Sequence, residues 1–198
     1  MKIVIINTKC SNLFSVKTML KKIGCNPKIT DNPDIILKAN KLFLPGVGTA
    51  FAAMQQLEKK NLTQLIQNCT QPILGICLGM QLFGSSSEEN DNIKTLGIIN
   101  TSVTRIQCYD KKLAIPHMGW NKVIFLKQHP LFYGIKNNHY FYFAHSYIMK
   151  INQSTIAYTN YGKLFSSVIA HKNYLGVQFH PEKSSTSGKQ LLKNFLEI

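Results

Sequence analysis

A single cysteine held between two glycines does most to restrict how this chain can fold. Gln71-Pro72-Ile73-Leu74-Gly75-Ile76-Cys77-Leu78-Gly79-Met80-Gln81-Leu82-Phe83 runs from a proline through one short apolar segment into another. Ile73 to Ile76 has the length and bounds of a buried strand, and Leu78 to Phe83 suits a helix. Cys77 stands at the junction, with Gly75 and Gly79 two residues to either side. This is a nucleophile-elbow pattern carrying Cys in place of Ser. An elbow strains the backbone of its central residue, and the flanking glycines let neighbouring backbone approach where a Cβ would clash. The sulfur would lie at a helix N-terminus, where free N–H groups and the helix dipole favour thiolate over thiol. A buried structural cysteine beside two packing glycines leaves the same trace, so the pattern needs a base.

Gly176-Val177-Gln178-Phe179-His180-Pro181-Glu182-Lys183 supplies a candidate. Tyr174 to Phe179 reads as a strand that Pro181 ends directly after His180. A cysteine nucleophile needs an imidazole to take its proton, and the imidazole needs a carboxylate to fix its tautomer and orientation. His180 and Glu182 offer both from one rigid piece of chain. A surface His beside a solvated Glu is the bland alternative. The combination favours chemistry, because both segments end apolar strands and open α/β sheets bind ligands beyond the carboxyl ends of their strands.

The remaining pattern fits that sheet. Strands are expected at Lys2–Ile6, Pro27–Thr30 and Lys41–Leu44, then near 140–147, 155–159, 165–171 and 174–179. Helices are expected from about Asn12 to Ile23, capped by Ser11 or Asn12, and at Pro33–Leu37, Phe51–Glu58, Leu62–Cys69 and Ser187–Leu196. Phe51, Met54, Leu57, Leu65 and Ile66 should pack inward. Ser85 to Asn92 reads as a polar surface loop, and Ile98 to about Leu126 is β-rich. Strands interleaved with helices imply an α/β fold of three layers. Its mostly parallel central sheet is flanked by helices and carries an additional antiparallel β portion. At 198 residues this is one domain, 1–198.

Composition bounds the partners. The net charge of +14 raises nucleic acid as a candidate, but 22 of the 23 basic residues are Lys, with Arg105 the exception. Arg is the usual reader of base edges. The lysines are scattered as singles and pairs such as Lys21-Lys22, Lys59-Lys60 and Lys111-Lys112, so neither nucleic acid nor membrane is the expected partner. The first residues, Met1 to Asn7, are too short in apolar length for a signal peptide and read as a strand. Five cysteines without Cys-x-x-Cys spacing suggest reduced thiols in a cytoplasmic protein, with neither a metal nor a cofactor.

Five segments together resemble a known family: Pro45-Gly46-Val47-Gly48, Gly75 to Gln81, Pro116-His117-Met118-Gly119-Trp120-Asn121, Tyr140 to Tyr147, and Gly176 to Lys183. They resemble the class I, or triad, glutamine amidotransferases, and more narrowly the glutaminase subunits of imidazole glycerol phosphate synthases. The resemblance runs from Ile3 to Leu196. It implies that Cys77, His180 and Glu182 hydrolyse glutamine through a cysteinyl thioester, with the N–H groups of Val47 and Leu78 as oxyanion hole. It implies that Gly46, Gly48, Gln81, Ser146 and Tyr147 border the substrate. It places Trp120, Tyr142, His145 and Lys183 toward the ammonia exit and the interface with a (β/α)8-barrel cyclase subunit in a heterodimer. That cyclase would use the ammonia to make imidazole glycerol phosphate and an aminoimidazole carboxamide ribonucleotide in histidine biosynthesis. The chain departs from the family at Asn7, where Asp is usual, and at Lys9, where Gly is usual, which takes from this loop a glycine's easy access to positive φ. Alternatives are an amidotransferase for another acceptor such as a sugar, a stand-alone cysteine hydrolase, and a non-catalytic module that has kept the fold.

Overall fold

The computed structural model of the chain describes residues 1–9, 12–89, 92–107 and 113–198. Ser11, Lys111 and Lys112, named above, lie outside them, as do residues 90 and 91 of the expected polar loop and 108–110 of the expected β-rich stretch. The elements run β1 (Ile3–Ile6), α1 (Leu13–Lys22), β2 (Lys28–Thr30), α2 (Pro33–Leu37), β3 (Lys41–Gly46), α3 (Ala50–Lys59) and α4 (Leu62–Gln67). Next come β4 (Ile73–Cys77), α5 (Leu78–Gln81), β5 (Ser86–Ser87), β6 (Ile93–Lys94), β7 (Ser102–Arg105) and β8 (His117–Phe125). The chain continues through β9 (His139–His145), β10 (Tyr147–Met149), β11 (Thr155–Tyr161), β12 (Lys163–His171), β13 (Tyr174–Val177) and α6 (Ser185–Glu197).

Among the described residues nine strands form the main sheet, in the order β2-β1-β3-β4-β13-β12-β11-β8-β9. The first five are parallel and the last four antiparallel. The parallel strands are apolar on both faces because helices cover both. Ile3 and Ile5 join one core with Val16 and Leu20 of α1 and Leu192 and Phe195 of α6. Val4 and Ile6 point the other way, into a core with Met54 and Leu57 of α3 and Ile66 of α4. This alternation follows from the two-residue period of a strand and builds the three expected layers. A second sheet, β10-β7-β5-β6, is the added β portion. No helix among the described residues is long and apolar enough to cross a membrane.

Several local expectations are corrected. Phe51 does not pack inward but is 44% exposed, because the buried stripe of α3 is Ala50, Ala53, Met54 and Leu57 and residue 51 sits one position off it. The polar stretch after α5 is not all loop, since Ser86 and Ser87 pair with β6 and β7. The aromatic segment 140–147 breaks at Ser146, where β9 leaves the main sheet and β10 enters the second one. Strand β13 stops at Val177, short of Phe179. In the departing loop, Lys9 takes φ 56°, the left-handed conformation that a glycine reaches more readily. The Lys9 N–H donates to Asn7 Oδ1 at 3.0 Å, so the side chain of residue 7 closes the turn that residue 9 must make.

Candidate active site

Strand β4 delivers Cys77 to the sheet's carboxyl end with φ 54° and ψ −111°, a conformation non-glycine residues rarely hold. The flanking glycines make the bend possible. A Cβ on Gly79 would run into the backbone carbonyl of Leu44 in β3, and one on Gly75 would meet Gly79 O and Met80 N at 2.7 Å. Gly79→Ala should therefore destabilise the fold by about 1–3 kcal/mol. A denaturant midpoint equal to that of wild type would refute the close-approach argument. The helix that follows is shorter than its sequence suggests. It is four residues long, ending at Gln81 rather than Phe83, so its dipole offers the sulfur little.

The base arrives from the neighbouring strand. Directly beyond β13, His180 is 2% exposed, and its Nδ1 lies 2.8 Å from Glu182 Oε1. A carboxylate oxygen accepts, so Nδ1 carries the proton and Nε2 is left for Cys77. Burial opposes charge on this ring, but hydrogen bonds to Cys77 and Glu182 outweigh it and push His180 up to about 10. The segment is clamped to β9. His180 N donates to Tyr142 O at 2.8 Å, Ser184 Oγ donates to His180 O at 2.6 Å, and Tyr142 N donates to Ser184 Oγ at 3.0 Å.

Cys77 opens onto a cavity of about 250 Å³. Val47, Gly48, Leu78, Gln81, His145, Ser146 and Tyr147 line it too, which gathers most of the expected oxyanion and substrate residues around one sulfur. Gly46 is not among the lining residues; it pairs with Cys77 between β3 and β4 and abuts Leu78. A larger cavity, about 710 Å³, lies beside Phe125, Phe132 and Tyr133 and contains none of these groups.

The model of the glutamine amidotransferase class-I family matches residues 4–198. The chain belongs to the class-I glutamine amidotransferases. It is 67% identical to the imidazole glycerol phosphate synthase subunit HisH of Blochmanniella floridana and 52% identical to that of Escherichia coli K12, each over 198 residues and the full length of both chains. In fold it is similar to a solved glutamine amidotransferase, with TM-score 0.75 and 15% identity over 98% of this chain and 97% of that one. It is also similar to the Trypanosoma brucei CTPS glutaminase domain with bound acivicin, at TM-score 0.63 and 17% identity over 100% of this chain and 94% of that one.

Other predicted residues of the amidotransferase lie outside the cavity. Strands β8 and β9 pair Trp120 with Tyr142 and Lys122 with Tyr140, and these side chains share the outer face of the sheet with Met118. Trp120 is 53% exposed and meets Tyr142 edge-on at 6.1 Å, while Lys183 Nζ stands 5.7 Å from the Tyr142 ring centre. His145 turns inward instead. Asn121 Nδ2 donates to His117 Nε2 at 3.2 Å, His117 Nδ1 to His145 Nε2 at 3.0 Å, and His145 Nδ1 to the Tyr147 carbonyl at 2.9 Å. The carbonyl can only accept, which sets every proton in this chain with both rings neutral.

Burial lowers His117 to about 4 and, with His117 and His180 adding repulsion, lowers His145 to about 3. Unfolding restores ordinary imidazoles, so below pH 6.5 the unfolded chain binds at least two more protons, with His129, also lowered by burial, adding to them, and stability falls as pH falls. The slope should approach about 2.7 kcal/mol per pH unit by pH 5, above the range where carboxylates titrate. His180, protonated in both states there, adds nothing to it. Denaturant midpoints at pH 7.5, 6 and 5 would test this, and an unchanged midpoint would disprove buried neutral rings.

Three side chains at the site were not anticipated. Asn12, expected only as a helix cap, makes no capping bond and donates from Nδ2 to Glu182 Oε1 at 2.6 Å. Its 3.3 Å approach to His180 Nδ1 brings two donors together, both aimed at that oxygen. Glu89 lines the cavity, with Oε2 accepting from Ala50 N at 2.6 Å at the start of α3. Gln178 is fully buried, with Nε2 3.7 Å from Cys77 Sγ. Only Gln178 had a readable sign, a lone polar residue within an apolar strand beside the candidate base.

Proposed function

We propose that the chain is the glutaminase subunit of an imidazole glycerol phosphate synthase, a single cytoplasmic domain that hydrolyses glutamine and passes ammonia to a partner. The observation that carries this reading is the buried His180, whose Nδ1 lies 2.8 Å from Glu182 Oε1 and whose charged form is favoured by Cys77 as well as by Glu182. In this reading the Cys77 thiolate attacks the side-chain carboxamide of glutamine, and the N–H groups of Val47 and Leu78 hold the tetrahedral oxyanion. His180 gives its proton to the departing ammonia, leaving a glutamyl thioester. Acylation then changes the base. Two of the influences that raise His180 come from Cys77, and they vanish once the sulfur is esterified. The ring, still oriented by Glu182, can then take a proton from water, which attacks the thioester and releases glutamate.

The cavity suits the rest of the substrate. Glu89 is the acidic side chain among its described lining residues, and it fits the α-ammonium of glutamine. Gln81, Ser146 and Tyr147 border the same space. The partner would be the (β/α)8-barrel cyclase that completes the synthase, docking on the exposed face of Met118, Trp120 and Tyr140 beside Lys183. An apolar patch of this kind rimmed by charge is a usual mark of a protein interface. Tyr142 belongs to that face, and its backbone also holds His180 on both sides, which gives docking a direct route to the base.

Ammonia release from glutamine should be low for the chain alone and rise on adding the cyclase with the ribonucleotide substrate that it cyclises. Release indifferent to both would point to a different ammonia acceptor. Cleavage of peptides without a partner would replace the reading with a stand-alone hydrolase.

A further inference from the structure

We infer that Gln178 is a catalytic hydrogen-bond donor to the Cys77 thiolate, held in its donating orientation by Gln81. The inference rests on the proposed role of Cys77 as nucleophile and adds a partner for its charge. Two contacts of the sulfur besides His180 are defined. The Ala144 carbonyl oxygen lies 3.7 Å away and can only accept, so it suits a thiol. The Gln178 amide nitrogen also lies 3.7 Å away, on a side chain with no solvent exposure, and it suits a thiolate. When the proton moves to His180, the charge left on sulfur faces this N–H group. The support matters because α5 is a single turn and supplies little dipole.

An amide can present nitrogen or oxygen, and here the choice is made by its neighbours. Gln81 Nε2 donates to the Tyr147 carbonyl at 2.8 Å and to Gln178 Oε1 at 3.0 Å. The carbonyl of Tyr147 only accepts, so the Gln81 nitrogen must face it. Gln81 therefore presents a donor to Gln178, whose oxygen turns toward Gln81 and whose nitrogen turns toward the sulfur. Flipping Gln178 would set donor against donor at Gln81 and oxygen against the thiolate. The line runs from the cavity rim at Tyr147 through two buried amides to the nucleophile.

The test is the pH dependence of Cys77 alkylation by iodoacetamide on the full chain, read by mass spectrometry of the peptide containing residue 77. No substrate or partner is needed. Gln178→Met keeps the volume and removes the donor. Its Cys77 should react about tenfold more slowly than wild type on the acid limb of the profile, with the midpoint moved to higher pH. Gln81→Met leaves the Gln178 amide free to turn and should shift the profile in the same direction by less. Circular dichroism confirms folding of each variant, and Gln81→Met carries the test if Gln178→Met does not fold. A folded Gln178→Met whose profile superimposes on wild type overturns the inference. If wild-type Cys77 itself resists alkylation up to the pH of an ordinary thiol, the proposed nucleophile fails instead.

Discussion

Cys77→Ala is expected to bring glutamine hydrolysis down to background, a loss on the order of 10⁵–10⁶-fold, with the partner present or absent. No other described thiol can substitute. Cys25 is half-buried, burial pushes the Cys69 thiol up to about 11, and neither lines the cavity. The fold should survive, because alanine occupies the same strained backbone and gives up the two long sulfur contacts and the interaction with His180 while leaving the surrounding packing in place. Cys77→Gly should be equally inactive but more stable than Cys77→Ala by about 1 kcal/mol, since glycine adopts φ 54° without strain. Steady-state glutamate formation and denaturant midpoints on the two variants measure both effects. Activity within tenfold of wild type in either variant would remove the thioester from the reaction. Equal stability of the two would mean that the elbow stores no backbone strain.

The parts of the molecule that could be read from sequence are those whose physical demand falls on consecutive residues. An elbow must bend within five positions and leave room for backbone on both sides, so Gly75, Cys77 and Gly79 record it in place. Proline after His180 marks a strand end for the same local reason. The parallel strands were readable because burial on both faces makes them continuously apolar, as at Ile3–Ile6. Elements that depend on distant contacts were not readable. Ser146 is where one strand leaves a sheet and the next joins another, and nothing in 140–147 signals the break. Phe51 follows a helical spacing that differs by one position from the stripe that packs. Asn12 and Glu182 are 170 positions apart, so no local pattern could show that the start of α1 holds the carboxylate behind the base. Family resemblance suggested many of the residues around the cavity, Glu182 and Gln81 included, but not Asn12, Glu89 or Gln178.

The carboxylate behind the base carries the second large effect. Glu182→Ala should lower glutamine hydrolysis about 10⁴-fold while leaving Cys77 and His180 in place. Glu182 does two things to His180. It accepts the Nδ1 proton, which aims Nε2 at the sulfur, and its charge stabilises the imidazolium. Alanine removes both and leaves the Asn12 amide without this acceptor in a buried site. Glu182→Gln separates the two contributions. Asn12 Nδ2 and His180 Nδ1 both donate to Oε1, so a glutamine at 182 is steered to place its oxygen there and keep the tautomer. Only the charge is lost, and Glu182→Gln should retain roughly ten- to a hundredfold more activity than Glu182→Ala. In both variants burial gains ground over the remaining support, so His180 falls below its wild-type value of about 10 and loses its proton at lower pH. The sign for stability follows from that raised value. The wild-type contribution is complete below the unfolded pKa near 6.5 and disappears as pH rises through about 10, so Glu182→Ala should flatten the alkaline decline in stability. Stopped-time glutaminase assays and unfolding midpoints between about pH 6 and 10 test the two together. Glu182→Gln as inactive as Glu182→Ala would mean that charge, rather than the orientation enforced through Asn12, is what the third residue supplies.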